Sequence, residues 1–360
     1  MSNYMAAVIG TGTDPDDPTF EGFAMAYKHA DAYETIENCD LTACVDIVRE
    51  NAAAFAETYS IDDGAVYESH DEMLAEVEPD IVSVCVPPAV HADIVIDCIR
   101  SGKAQAIHCE KPMAATWGEC RLMAQEADRH DVQLSFNHQR RYGKPFRQAK
   151  ELLDDSEIGD LERVEFAAPN LYDYGSHSFD LSNYFVDEAS PEWVLAQVDY
   201  RTENRWFGAH NENQAIAIWT YDNGVFGFAD TGGDVGGEAV GCHNRLQGTD
   251  GVIEIRGGEG DPLWIRRAGD AKWESFACDG EPLYADVFIE RAIRDAVDAI
   301  DGDHDPELGA TNALNATELI FGAWESARKR GRVEFPLNID DNPLDATVED
   351  GDLTPAPIED

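Results

Sequence analysis

Between residues 5 and 136 the chain alternates between short apolar runs and longer amphipathic segments. MAAVIG, LTACVD, IVSVCVP, AQAIHCE and VQLSF are short and almost continuously apolar, so they read as five strands buried on both faces. The segments between them, such as ENAAAFAETY, HADIVIDCIRSG and WGECRLMAQEADRH, carry apolar residues at helical spacing. Strand, helix and strand repeated in this way predict a parallel sheet covered on both faces. Doubly wound is the default order for such a sheet.

From about residue 160 the period changes to two. RVEFAA, EWVLAQVDYR, NQAIAIWTY, VFGFADT, HNRLQGT, GVIEIRG, PLWIRRA and WESFAC alternate, with DNG, TDG and GEGD as turns. That pattern predicts a mostly antiparallel sheet of about six to eight strands. A helical stretch follows, DVFIERAIRDAVDAI and then ATNALNATELIFGAWESARKRG, closed by VEFPL. Residues 337–360 contain no base and no periodicity, which predicts an extended or disordered acidic tail.

The charge balance narrows the function classes. The chain of 360 residues has 72 acids against 26 bases, a net charge of −46. Self-repulsion of that size opposes compaction in dilute buffer, whereas near-molar salt screens it. The acids are spread along the chain, as expected of a salt-adapted cytoplasmic protein. Nucleic acid and anionic membranes are poor partners for such a surface. No apolar stretch approaches a membrane span, and the opening MSNYMAAVIG lacks the basic start of a secretory signal. The eight cysteines include no CxxC, and the histidines no HExxH, so neither a disulfide framework nor a metal site is expected.

Two places at the strand ends suggest a dinucleotide. The first strand runs into VIGTGTD, where Gly10 and Gly12 fit a turn that brings backbone amides to a pyrophosphate. A third glycine would fall at position 15, which is Pro15; Thr13 to Glu21 read as an insertion that delays the helix, with Gly22 as the close-approach glycine. The second strand ends in Asp46, an acceptor for a ribose hydroxyl, while Arg49 close by suits a 2′-phosphate. These two residues point in opposite directions on NAD against NADP. Asp46 is equally suited to starting the next helix.

Further motifs carry a resemblance. VCVPPAVHADIVIDCIRSGK followed by IHCEKPMA, then DYGSHSFD and the ending SARKRGRVEFPL, resembles the glucose–fructose oxidoreductase, inositol dehydrogenase and MocA family over roughly residues 5–337. Glu-Lys-Pro alone is a weak signal; with D-x-G-x-H-x-x-D at this separation it is strong. Within the family, the opening GTGTDPDDPTFEGFAMAYKHADAY and the acidic composition look most like haloarchaeal D-xylose dehydrogenases.

The resemblance implies an α/β protein with an N-terminal doubly wound Rossmann domain over 1–137, joined by a return of the C-terminal helix. A C-terminal α/β domain with a large, mostly antiparallel sheet would cover 138–336. It implies an NAD(P)-dependent aldose 1-dehydrogenase using NADP, with NAD as the poorer alternative. Lys111, Asp173 and His177 are then the catalytic constellation. An ammonium can stabilise a developing alkoxide, and an imidazole steadied by a carboxylate can accept a proton near neutrality. Cofactor contacts fall to Gly10, Gly12, Gly22, Asp46, Arg49, Pro87, His91, Glu110 and Lys111. Asn137 or Arg141 would lie by the substrate, although an interdomain salt bridge from the Arg pair is at least an equal use. Trp206 and His210 are further candidates beside a sugar, and Asp180 either shapes the site or caps structure. A homo-oligomer, dimer or tetramer, is expected. An inositol or diol dehydrogenase would keep the same trio; a nucleotide-sensing regulator on this fold would be expected to lose it.

Overall fold

The apolar runs of the first third do form one parallel sheet. The computed structural model describes residues 3–17, 22–233, 238–302 and 304–357. The chain divides into two units: Met1–Ala115 with Glu119–Gln139 and Asp286–Ala313, and Thr116–Gly118 with Arg140–Ala285 and Leu314–Asp360.

In the first unit the elements follow in the order β1 (Tyr4–Ile9), α1 (Met25–Glu34), β2 (Cys39–Val45), α2 (Arg49–Tyr59), β3 (Val66–Tyr67), α3 (His70–Val77), β4 (Ile81–Val84), α4 (His91–Ser101), β5 (Ala106–Cys109), α5 (Trp117–His130) and β6 (Gln133–Phe136). The six strands lie in the order β3-β2-β1-β4-β5-β6, all parallel. Chain reversal therefore occurs between β1 and β4, the switch point beside which doubly wound sheets bind ligands. The strand β3 has two residues, too few to show a period, and the sequence reading missed it. A helix from the C-terminal stretch, α8 (Asp286–Asp298), returns to this unit. Its Ile289, Ile293 and Val297 join Ala26, Ala30, Tyr33 and Phe55 in one apolar cluster.

The second unit carries the period-two segments. After α6 (Lys144–Asp154) come β7 (Leu161–Ala168), α7 (Gly175–Phe185), β8 (Pro191–Asp199), the small hairpin β9 (Arg205–Trp206) and β10 (Ala209–His210), β11 (Gln214–Tyr221), β12 (Phe226–Gly232), β13 (Asn244–Gly248), β14 (Gly251–Ile255), β15 (Leu263–Arg267) and β16 (Glu274–Phe276). After α9 (Ala310–Lys329) comes β17 (Val333–Glu334). Among the described residues nine strands form one sheet, β16-β15-β14-β13-β7-β12-β11-β8-β17. Every neighbouring pair is antiparallel except β7 with β12. On its buried face Phe166, Trp219 and Phe179 of α7 pack as rings 4.9 to 6.0 Å apart. The acidic segment after residue 337 departs from the expected unstructured tail. Asn342 caps a short helix, α10 (Pro343–Glu349), whose Leu344 is buried.

All eight cysteines are free. No helix among the described residues is long and apolar enough to cross a membrane.

Candidate active site

The glycine turn sits at the end of β1. Gly10 has φ +86°, and a Cβ there would meet Val86 Cγ1 at 2.5 Å, so only glycine lets this turn approach the end of β4 so closely. Gly12 (φ +65°) is exposed, with nothing within 4 Å of the place a Cβ would take. The helix that should follow is delayed, as expected, and begins at Met25. Gly22 is described at φ +126°, while residues 18–21 of the insertion lie outside the described residues. Asp46 is committed inwards. Its Oδ2 accepts from Gly12 N at 2.9 Å and Thr11 Oγ1 at 3.3 Å, and its Oδ1 accepts from Val48 N at 2.8 Å. Arg49 is exposed and donates to Val66 O at 2.9 Å. A positive-φ turn with open space above Gly12, at the switch point of this sheet, fits a dinucleotide.

At the carboxyl end of β5 the Glu110-Lys111-Pro112 turn is built from beneath. Glu110 N donates to Val84 O of β4, and the Lys111–Pro112 peptide is cis. Lys111 is half-buried. Glu110 is 7 % exposed, and its Oε1 lies 2.9 Å from His29 Nε2 and 2.7 Å from Asn137 Nδ2. The other ring nitrogen of His29 meets Ser83 Oγ at 3.0 Å, and Tyr33 OH meets the same oxygen at 2.9 Å. Burial alone would push the Glu110 carboxyl up, but the His29 and Asn137 hydrogen bonds and the Lys111 charge hold it down at about 2. Asn137, expected beside the substrate, is fully buried and its amide nitrogen donates to Glu110.

His91 and Pro87 also act on this turn or beside it. His91 is fully buried, and its Nε2 lies 2.7 Å from Val86 O. Its Nδ1 lies 3.0 Å from Pro112 O and 3.1 Å from Met113 O. The ring therefore fills the space between the end of β4 and the Lys111 turn, with one N–H to donate. Pro87 is exposed and opens the single turn that leads into α4.

In the second unit, Asp173 lies just before α7 and His177 in its first turn, so the pair straddles the helix start. The turn is tight at Gly175, where a Cβ would fall 2.5 Å from Asn170 O. Neighbours from the start of β11 hold it: Asp173 N donates to Asn211 Oδ1 at 3.2 Å, and Leu171 N to Glu212 Oε1 at 2.6 Å. Glu212 also accepts from Trp324 Nε1 at 3.0 Å. His177 is 3 % exposed, whereas Asp173 is half-buried.

The Arg pair divides its work. Arg141 forms a buried bidentate pair with Asp180, both contacts 2.7 Å, and also reaches Glu188. Arg141 and Asp180 are thus structural, but the pair lies within the second unit and is not the interdomain bridge expected from the sequence. Arg140 is 5 % exposed, stacked 3.9 Å over the Tyr174 ring, with Nη1 3.2 Å from His243 Nε2. Burial, helped by the Arg140 charge, drives His243 down to about 3, so its ring is neutral and accepts. Sequence reasoning missed His29, Ser83 and His243; polar residues inside the apolar patterns of β4 and α1 were the available signal for two of them. Trp206 stands exposed on the hairpin, while His210 is engaged by Tyr200 and Arg205. His70, Asp71 and Asp97 bring ligand atoms within 4.8 Å of one another at the surface, where His70 Nε2 lies 3.2 Å from Asp97 Oδ2.

Two family profiles match the chain. Residues 7–138 match the NAD-binding Rossmann fold of an oxidoreductase family, and 162–335 match its C-terminal alpha/beta domain. The chain belongs to the Gfo/Idh/MocA oxidoreductase family. Myo-inositol 2-dehydrogenase of Thermotoga maritima is 22 % identical over 64 % of this chain and 70 % of its own length. Glucose-6-phosphate 3-dehydrogenase of Bacillus subtilis is 31 % identical over 50 % of this chain and 53 % of its own. Several of these curated relatives are matched over only about half their length. Among solved structures, the aldose-aldose oxidoreductase of Caulobacter crescentus, complexed with glycerol, shares the fold with a TM-score of 0.74. It is 20 % identical, with 92 % of this chain and all of that one covered.

Proposed function

We propose that this family member is an NAD(P)-dependent sugar dehydrogenase that oxidises C1 of an aldose to the aldonolactone, with D-xylose as first substrate. The observation that carries the proposal is the supported lysine turn at the end of β5, in a chain that also sets Asp173 and His177 about a tight helix start. His177 takes the proton of the C1 hydroxyl, and Asp173 steadies the imidazolium. The Lys111 ammonium stabilises the oxygen while its charge develops. Bound nicotinamide supplies the hydride acceptor. Gly10, Gly12, Gly22, Pro87 and the β2 end at Asp46 and Arg49 are the proposed cofactor contacts. NADP is the proposed form, received by the exposed Arg49, with NAD a poorer substitute.

A cyclic polyol is the second reading, favoured by the inositol dehydrogenases among the relatives. One screen decides between them: reduction of NADP and NAD followed by absorbance, with aldoses and inositols, in molar KCl. D-xylose should be oxidised with NADP. Turnover of inositols alone would overturn the aldose assignment, and no turnover of either class would overturn the dehydrogenase assignment.

The proposed protein is a homo-oligomer, a tetramer, of a salt-rich cytoplasm. In the second unit, Leu195, Ile216 and Phe226 are 40 to 50 % exposed on one sheet face. Arg245 on that face lies between Glu165 and Glu254. A face with apolar centre and both charges beside it suits a second copy of the chain. Ile216→Lys should reduce the mass seen by light scattering; an unchanged mass would remove this face from the assembly.

A further inference from the structure

We propose that His29 and His91 are positioning residues for Lys111: two buried imidazoles, from α1 and α4, that clamp the Glu110–Met113 turn from two sides. The proposal rests on the reading of Lys111 as the group that meets the reacting oxygen. The geometry behind it lies wholly in the first unit. His29 is fully buried and holds the Glu110 side chain at 2.9 Å, immediately before the lysine. His91, also fully buried, stands between the carbonyls of Pro112 and Met113, immediately after it, and Val86 O, with its one N–H donating to one side. The lysine is thus bracketed on both sides in sequence by groups whose polar atoms are fixed.

Two physical points raise this above ordinary core packing. A buried Glu–His pair costs desolvation that an apolar pair of equal volume avoids, so it is a poor choice for stability alone. The orientation of His91 is equally demanding. Both ring nitrogens face carbonyl oxygens, although a neutral imidazole has one N–H to give. Burial pulls its pKa down, and the three carbonyls and Glu110 push it back. The groups around the turn are Glu110, Lys111, Cys85 and Cys109, with His29 and His108 behind them. Each imidazole also ties the turn to an element that borders the glycine loop. His29 lies on the helix following that loop, and His91 holds Val86, the residue against which Gly10 packs. Displacing a reacting group by about 1 Å can cost about 10²-fold in rate, so a clamp of this kind is worth its desolvation.

The test uses the full chain in molar KCl. Lys111 is one of seven lysines. Reductive ¹³C-methylation followed by NMR therefore gives its titration individually, with Lys111→Arg marking its resonance. His29→Leu and His91→Leu should each move the Lys111 titration and lower kcat about 10- to 100-fold. NADPH affinity, followed by its fluorescence, should change less than about threefold. His29→Gln, which retains a donor toward Glu110, should restore most of both. If the Leu variants do not fold, His29→Asn and His91→Asn, polar but too short to bridge, take their place with the same expectation. An unmoved Lys111 titration in folded variants would overturn the clamp. The titration does not need a substrate, so wild-type protein that turns over no sugar or polyol would sink the proposed activity while the clamp is still decided.

Discussion

At Glu110 two effects of opposite sign meet, and their balance can be measured. Burial disfavours the carboxylate, yet His29, Asn137 and Lys111 hold its pKa near 2 against an ordinary value of 4.5. The folded pKa lies below the unfolded one, so the stabilisation is complete above about pH 4.5 and is lost as the pH falls toward 2. Acid also relieves the global negative charge, so only a difference isolates the pair. In molar KCl, urea unfolding should show wild type more stable than Glu110→Gln at pH 7, with the gap narrowing as the pH falls from about 4.5 toward 2. A gap constant over that range would mean the Glu110 charge contributes nothing. For the proposed chemistry, His177→Ala should lower kcat by about 10²- to 10⁴-fold with cofactor binding retained. Lys111→Ala should cost a few kcal/mol of transition-state stabilisation, and the double variant less than the sum. Near-normal turnover in folded Lys111→Ala would return that lysine to an ordinary turn residue.

At the scale of elements, what could be read from sequence follows how local each signal is. The buried strands were legible because Ile81–Val84 and Ala106–Cys109 each carry a single polar residue in an otherwise apolar run, and Glu110-Lys111-Pro112 because it follows such a run directly. The two-residue β3 and the seven-residue helix α10 inside an acidic segment were not, since each is too short for its period to repeat clearly. Asn137 shows a different limit. Its place just after β6 was readable, but whether its amide pointed outward or under Glu110 depended on His29, more than a hundred residues earlier. On the proposed reading, the turn from β2 into α2 is the place where cofactor choice is decided. Asp46 already accepts from Gly12 and Val48, whereas Arg49 is exposed, so a 2′-phosphate has a cation within the same turn. Arg49→Ala should weaken NADP at least about tenfold more than NAD, measured by nucleotide fluorescence quenching. Equal losses on both nucleotides would remove Arg49 from the site.

Over the whole molecule the charge of −46 should outweigh any single contact as a determinant of stability in dilute buffer, which a salt titration tests. Many of the few bases are already committed: Arg245 lies between Glu165 and Glu254, Arg328 between Glu325 and Asp341, and Arg141 between Asp180 and Glu188. The acids left over repel across the surface, and only mobile cations can relieve them. Screening falls from a Debye length of about 10 Å at 0.1 M to about 3 Å at 1 M. Most of the benefit should therefore arrive below about 1 M. The melting temperature should rise steeply between 0.1 and about 1 M KCl and more slowly to about 2 M. Sucrose, which favours burial without screening, should give a smaller rise at equal osmolarity. The buried Arg141–Asp180 pair is shielded from these ions, so Asp180→Asn should cost about 3 to 5 kcal/mol at every salt concentration. A melting temperature that is flat from 0.1 to about 2 M KCl would show that surface repulsion does not limit this fold. Matching rises in sucrose and KCl would assign the effect to enhanced burial rather than charge.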